Sequence, residues 1–354
     1  MRRYDIDWLR VIAIGLLLIY HVAIGFQPWG VMIGFITTPQ PWTDLWAPMV
    51  LLNVWRIPLL FFVSGMGVYF AMQRRNWIQL IADRVVRIFV PYLFGMFAIV
   101  PLHVFLWRYY YHMQLIYTWG PGHLWFLGNI VTYVVVLSPV LFYLKRHEEG
   151  EVARWIKKIL SHPAGLLVVV AAFAAEVIMI KPVPFELYAM TIHGFVLGFL
   201  AFFFGFCFVF SGDAFWKMIQ RWRWLFAAIG VTLFVLRTWY FGMSTPGYQI
   251  AIESLSWILS VLAFGSLYLN KPRKALTYLS GAAYPVYIVH MIFLYMGSLF
   301  IFRLQLAPPL QFVLVLLFTV AGCFASYEII RRIKWFRPLF GLKRLNVMRG
   351  SHDD

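Results

Sequence analysis

Residues 7–22 read DWLRVIAIGLLLIYHV: a cation at Arg10, ten residues of almost pure hydrocarbon, then an imidazole at His21. As an α-helix, that eleven-residue step rises roughly 16 Å and turns about three times, so both side chains share one face. Ionisable groups inside an apolar span are costly and mark a pathway or a reaction site. A guanidinium near one membrane surface, with a proton-handling group well inside on the same face, fits a ligand that enters with its charged end last.

The rest of the chain has the same character. Of 354 residues, 62% are hydrophobic and 12% charged, and the mean hydropathy is +0.77. That composition excludes a soluble globular domain. Ten segments are apolar and long enough to span a membrane: 8–26, 47–71, 86–107, 124–144, 164–180, 192–210, 224–241, 252–269, 282–302 and 309–330. The fifth is short and holds Glu176. The fold class is therefore an all-α polytopic membrane protein of about ten transmembrane helices. Residues 1–330 form one transmembrane domain, and residues 331–354 a basic tail that lies on the membrane surface or frays.

Charge sets the orientation. One set of flanks carries 25 of the 30 lysines and arginines; the other five are Arg56, Arg108, Lys181, Arg237 and Arg303. By the positive-inside rule both termini are cytoplasmic, and an even number of spans agrees. The same bias accounts for most of the net charge of +16 without nucleic acid. A basic inner face also attracts anionic lipids and anionic cytosolic ligands. The first apolar run lacks a small-residue cleavage site, so it reads as a retained span. Cys207 and Cys323 sit in apolar runs and read as small buried hydrophobes.

Several residues stand out against this background. Arg84 and Arg87 are three apart, on one helix face at the inner end of the third span. Two guanidiniums suit a polyphosphate, since arginine grips phosphate oxygens in bidentate fashion; the same pair would serve as lipid-headgroup anchors. His21 can take a proton from a hydroxyl, attack a thioester, or hold helices together by a hydrogen bond. His290, in YPVYIVH of the ninth span, follows Tyr284, Pro285 and Tyr287 and either shapes a reaction centre or bonds between helices.

His123 follows a Gly-Pro-Gly turn at the outer surface, where it can contact a substrate or be structural; Trp125 fits the interfacial aromatic belt. Arg56 and Arg237 are cations in apolar runs, against the orientation rule, and need partners or a wet cavity. Glu253 and Glu176 are the candidate partners. The alternatives are a salt-bridge cluster and an outer vestibule for a hydroxylated or anionic acceptor, and we favour the vestibule. Ser64 in FFVSGMG reads as close helix packing, and Glu328 with Arg331 and Arg332 as a local ion pair. No metal-ligand spacing and no phosphate-binding glycine motif occurs.

Together these segments resemble the acyltransferase-3 family of integral membrane acyltransferases. The resemblance rests on the Arg, ten residues, His pattern of the first span, RIPLLFFVSGMGVYF in the second, DRVVRIFVPYLFG in the third, GHLWFL in the fourth and YPVYIVH in the ninth. Arg56 before FFVSG, Glu253 in AIESLSWILS, and YEIIRRIKWFRPLFG are most similar to the periplasmic-glucan succinyltransferase branch. The resemblance implies a multi-pass enzyme of the cytoplasmic (inner) membrane. It would take an acyl group, succinyl or acetyl, from cytoplasmic acyl-CoA as co-substrate and place it on a hydroxyl of an extracytoplasmic glycan.

In that scheme Arg10, Arg84 and Arg87 hold the coenzyme phosphates, and His21 acts with His290 at the reaction centre. Arg56, His123, Trp125, Arg237, Glu253 and Tyr284 face the substrate. The implied partners are acyl-CoA, the glycan acceptor and membrane lipids, with no metal. A transporter of glycans or other anions would also bury charge. It would not explain why basic pairs and histidines lie at different depths, and there is no internal repeat with broken helices.

Overall fold

The computed structural model describes residues 3–343. Among these, ten helices are long and apolar enough to cross a membrane: Tyr4–Ile24, Thr43–Met72, Trp77–Tyr110, Gly122–Arg146, Pro163–Ile180, Ile192–Phe210, Arg223–Phe241, Gly247–Tyr268, Lys274–Ile301 and Pro308–Arg332. No strand occurs among the described residues. All ten expected segments are present as helices, numbered below as spans in chain order.

Three helix starts lie five or more residues before the hydropathy reading, each where polar residues continue the helix. The third span starts at Trp77, not 86, because Asn76 opens it with a capping box. The Asn76 side chain accepts from the Gln79 amide at 2.9 Å, and the Gln79 side chain from the Asn76 amide at 3.2 Å. The span widens into π-helical turns at Val85–Phe89 and Gly95–Ile99. The eighth span begins at Gly247 and the ninth at Lys274, so Glu253 lies in a second helical turn and not at a helix start. Two further helices, Glu151–Leu160 and Asp213–Arg221, carry cations between spans.

Burial sorts the spans into layers. The second, eighth and ninth are each 72% buried over their most apolar window, whereas the seventh is 17% and the fifth and tenth 28%. The former make the interior and the latter the ring that meets lipid. The second and sixth spans approach most closely. A side chain at Gly65 would meet the Phe202 carbonyl, and one at Gly205 the Phe62 carbonyl. Two glycines facing two carbonyls let the backbones touch, which is how helices pack without a hydrophobic driving force.

Prolines create obligations that other elements meet. Pro58 has no N–H, so the Val54 carbonyl four residues earlier lacks a helical donor. Ser254 Oγ donates to it at 2.8 Å and Tyr188 Oη at 3.0 Å, which ties the second span to the eighth and to the loop before the sixth. Pro101 frees the Phe97 carbonyl, which Tyr117 Oη satisfies at 2.8 Å.

The expected tail divides. Residues 344–354 lie outside the described residues. The preceding stretch does not fray: Phe340 is buried against Phe94, ring centres 5.4 Å apart, and Gly341 packs on the Arg87 carbonyl and the Tyr284 ring. Cys207 and Cys323 are free and buried.

Ser254→Ala and Tyr188→Phe should each lower thermal stability in detergent by less than about 1 kcal/mol, since the other donor remains. The double variant should lose about 1–3 kcal/mol, more than the sum, as the Val54 carbonyl is then orphaned. Strict additivity would show that the two bonds do not share one duty.

Candidate active site

The arginines gather first. A cavity of about 870 Å³ opens at the basic end of the bundle and is lined by Arg3, Arg10, Arg74, Arg75, Arg84 and Arg87 against only Asp7 and Asp83. Asp83 is shared by Arg75 at 3.1 Å and Arg87 at 3.0 Å, and Asp7 meets Arg10 at 3.4 Å. Arg3 is paired with Asp5 at 2.6 Å, which leaves five cations to the two lining carboxylates, and the Arg84 Nε is buried with no hydrogen-bond partner. The π-helical turn Val85–Phe89 carries Arg87 onto the same wall. Tyr284 also lines this cavity, its hydroxyl buried and without a partner. The structure thus groups Tyr284 with the arginines and not with a far-side acceptor site.

The cavity runs inward between the first, second, fourth and ninth spans and ends at Ile14, Leu60, Phe126 and Tyr287. Neither His21 nor His290 lines it. Both lie just beyond its blind end: His290 is three residues past Tyr287, and His21 two helical turns past Ile14, roughly 10 Å along the first span.

His21 Nδ1 and His290 Nε2 are 2.9 Å apart, with rings stacked at 5.1 Å and 15°. His290 Nδ1 lies 2.6 Å from the Tyr287 carbonyl. A carbonyl only accepts, so His290 Nδ1 carries a hydrogen. In the neutral ring Nε2 then holds the lone pair, and it accepts from His21 Nδ1–H. The tautomer of His21 follows: its Nε2 bears a lone pair. Two hydrogen bonds thus fix the tautomer and orientation of His21, as a base or a nucleophile would require.

His123 closes the group. Gly122 takes φ +46°, a left-handed turn that glycine adopts freely, and brings the chain onto the fourth span. His123 Nε2 donates to the Ile288 carbonyl at 3.0 Å, and Tyr287 Oη donates to the His123 carbonyl. The His123 ring stands edge-on to His290 at 5.0 Å, and its Nδ1 is buried without a partner.

His103, on the third span, was not singled out by sequence; it is 5% exposed, and its ring meets His123 at 5.2 Å and Tyr295 at 5.5 Å. The signal was available, since a lone histidine inside VPLHVFLW is an ionisable residue in an apolar run. Four histidines from four spans thus adjoin one another. No group of residues able to hold a metal ion occurs among those described.

A family model for an acyltransferase domain, acyltransferase-3, matches residues 3–328, nearly the whole chain. The chain belongs to the acyltransferase-3 family. It is accordingly a multi-pass membrane acyltransferase. No curated protein and no solved structure matches it.

At the opposite end of this acyltransferase, the charges expected to line a vestibule are mostly matched. Arg237 Nε and Nη2 grip the two oxygens of Glu253 at 2.7 and 2.9 Å, Nη2 also donates to the Val50 carbonyl at 3.1 Å, and Glu186 stands 3.7 Å away. Glu253 is fully buried. Glu176, expected to partner an arginine, is 2.8 Å from His193 instead. The two arginines also part company: Arg237 is neutralised, and Arg56 is not. Trp125 is buried against Phe61, ring centres 6.1 Å apart, so it belongs to the core and not to an interfacial belt.

One other sequence reading agrees with the structure: Glu328 pairs locally with Arg331 at 2.7 Å and Arg332 at 3.5 Å. Ser64, expected at a close helix contact, lines the arginine-rimmed cavity instead, its Oγ donating to the Leu60 carbonyl at 2.7 Å, and the close contact is made by its neighbour Gly65.

Breaking the buried pair singly should be costly. Glu253→Gln leaves Arg237 with a neutral amide and should lower stability by about 3–5 kcal/mol, measured by thermal unfolding in detergent. The paired change Arg237→Met with Glu253→Leu should recover most of that loss. An equal loss in the paired variant would assign the two residues a role beyond mutual neutralisation.

Proposed function

We propose that this acyltransferase takes a succinyl or acetyl group from cytoplasmic acyl-CoA and places it on a hydroxyl of an extracytoplasmic glycan, in the inner membrane with both termini in the cytoplasm. One observation carries the reading: an arginine-rimmed cavity at the basic end leads toward a histidine pair whose hydrogen bonds leave the His21 Nε2 lone pair free. Coenzyme A is a polyanion at one end and a thin thioester-tipped arm at the other. Arg10, Arg84 and Arg87 take the phosphates by charge-assisted hydrogen bonds, which accounts for the excess of guanidinium over carboxylate at the rim. The arm follows the first span inward, and the acyl end passes the Tyr287 ring to reach His21.

The acceptor approaches from the other side, where His123 and His103 lie. The proposed branch is that of the periplasmic-glucan succinyltransferases, which the segments around Arg56 and Glu253 resemble. Two routes use the same nitrogen. In direct transfer His21 Nε2 removes the hydroxyl proton as oxygen attacks the thioester carbon; the C–S bond breaks, and the proton passes to the leaving thiolate. In the two-step route Nε2 itself attacks and the thiolate leaves; the hydroxyl then attacks the acyl-imidazolium, the C–N bond breaks, and the hydroxyl proton passes to the thiolate, which restores the neutral imidazole. His290 serves both by fixing the tautomer and orienting the ring. Family membership favours chemistry over passive transport.

His21→Ala should abolish transfer, lowering turnover by at least 10²-fold, while acyl-CoA binding stays near that of the wild type. Turnover within a fewfold of the wild type would remove His21 from the mechanism. Arg84→Ala and Arg87→Ala should weaken acyl-CoA binding about tenfold each, more at low than at high salt. Unchanged affinity would return both to headgroup anchoring. Incubation with labelled acyl-CoA and no acceptor separates the routes, since only the two-step route leaves label on His21.

A further inference from the structure

Arg56 is the strangest charge in the molecule. It lies in the second span, 0% exposed, one helical turn beyond Leu60 at the cavity's blind end. Its guanidinium rests over the Tyr20 ring, 3.9 Å from the ring centre, and Nη1 approaches the Leu16 carbonyl at 3.5 Å. Nε and Nη2 are buried with no hydrogen-bond partner. Among the described residues no carboxylate forms an ion pair with it. Glu253 is gripped by Arg237, Glu186 stands 3.7 Å from Arg237, Glu176 pairs with His193, and Asp44 is exposed. The phenols of Tyr20 and Tyr188 are neutral near pH 7. An aromatic face offsets only part of the cost of a buried cation.

We infer that Arg56 is a binding site for a carboxylate carried by a substrate. The free nitrogens define the ligand. Nε and one Nη form the side-on fork that matches the two oxygens of a carboxylate. Arg237 uses the same two nitrogens to hold Glu253. Position narrows it further. The guanidinium carbon is 3.9 Å from the Tyr20 ring centre, which is 5.9 Å from the His21 ring centre, so Arg56 lies no more than about 10 Å from His21. Three carbon–carbon bonds carry a carboxylate about 4 Å beyond an acyl carbonyl. With contact distances at both ends, a four-carbon diacid on its thioester bridges the gap. A carboxylate on the acceptor supplies the same chemistry from the other side.

This inference rests on the acyl-transfer reading, and its test separates the two. Wild type, Arg56→Met and Arg56→Lys are purified in detergent and compared in two measurements. The first is thermal unfolding without substrate. Arg56→Met should unfold at a higher temperature than the wild type, because an unmatched buried charge has been removed; a residue that merely holds helices together would give a lower one.

The second measurement is initial rates with succinyl-CoA against butyryl-CoA, and with a glucan oligosaccharide against the same oligosaccharide bearing a glucuronate. The wild type should favour the carboxylate-bearing member of one pair at least tenfold. Arg56→Met should reduce that ratio below threefold, and Arg56→Lys, which keeps charge without the fork, should fall between them. The pair that responds assigns the carboxylate to the donor or to the acceptor. A lower unfolding temperature for Arg56→Met, or ratios unchanged by it in both pairs, overturns the proposal. A wild type that neither transfers from any acyl-CoA nor is thermally stabilised by one overturns the acyl-transfer reading itself, and this one with it.

Discussion

In an apolar interior, every polar atom that water cannot reach needs a partner inside the protein. Most of the buried polar atoms here have one. The Val54 carbonyl, freed by Pro58, receives two hydroxyls; Arg237 receives Glu253; Glu176 receives His193. These matched groups tie the second, fifth, sixth, seventh and eighth spans together, and they are scaffold. Unpartnered buried atoms occur in several parts of the bundle, Arg108 Nε, Arg223 Nε and Glu176 Oε2 among them. Four of the groups concerned fall along one route: the Arg84 Nε and the Tyr284 hydroxyl line the arginine-rimmed cavity, and the Arg56 fork and the His123 Nδ1 lie just past its blind end. On the proposed function, these are the polar atoms that a bound substrate would satisfy.

The histidine pair shows how few contacts fix the tautomer of a buried imidazole. A backbone carbonyl fixes the hydrogen on His290 Nδ1, and His290 Nε2 then fixes the hydrogen on His21 Nδ1. Each step is dictated by the one before, because a carbonyl cannot donate. In the proposed mechanism the reactive nitrogen is therefore set by the Tyr287 carbonyl on a different span. Protonation or acylation of Nε2 would leave the Nδ1–H bond to His290 in place, so the ring would keep its orientation through the cycle.

Much of this was legible in the sequence, and the parts that were not share a cause. The Arg10–His21 step and the ten spans follow from helix periodicity and hydropathy, which are local properties. The third span's early start does not show in the sequence because Asp83 and Arg84 lower its hydropathy, although they face a cavity and not lipid. Pairing is different. Arg56 and Arg237 look alike in sequence, each a cation in an apolar run, yet Arg237 is neutralised by a carboxylate 16 residues away and Arg56 by none among the described residues. Which carboxylate reaches which arginine depends on how distant spans pack, and no local pattern encodes that. The same holds for His103, which acquires meaning only beside His123.

On the proposed function, with a donor on one side of the membrane and an acceptor on the other, the two must meet without opening a path for ions. The cavity takes up much of that distance from the basic end and then stops at Tyr287, whose hydroxyl is tied to the His123 backbone. Past that point lies a layer of imidazole rings, in which His21 and His290 stack and His123 meets both His290 and His103 edge to face. A transporter would need this layer to open; an acyltransferase needs it to stay closed around an acyl group, and the tight ring contacts between His21, His290, His123 and His103 suit the second requirement.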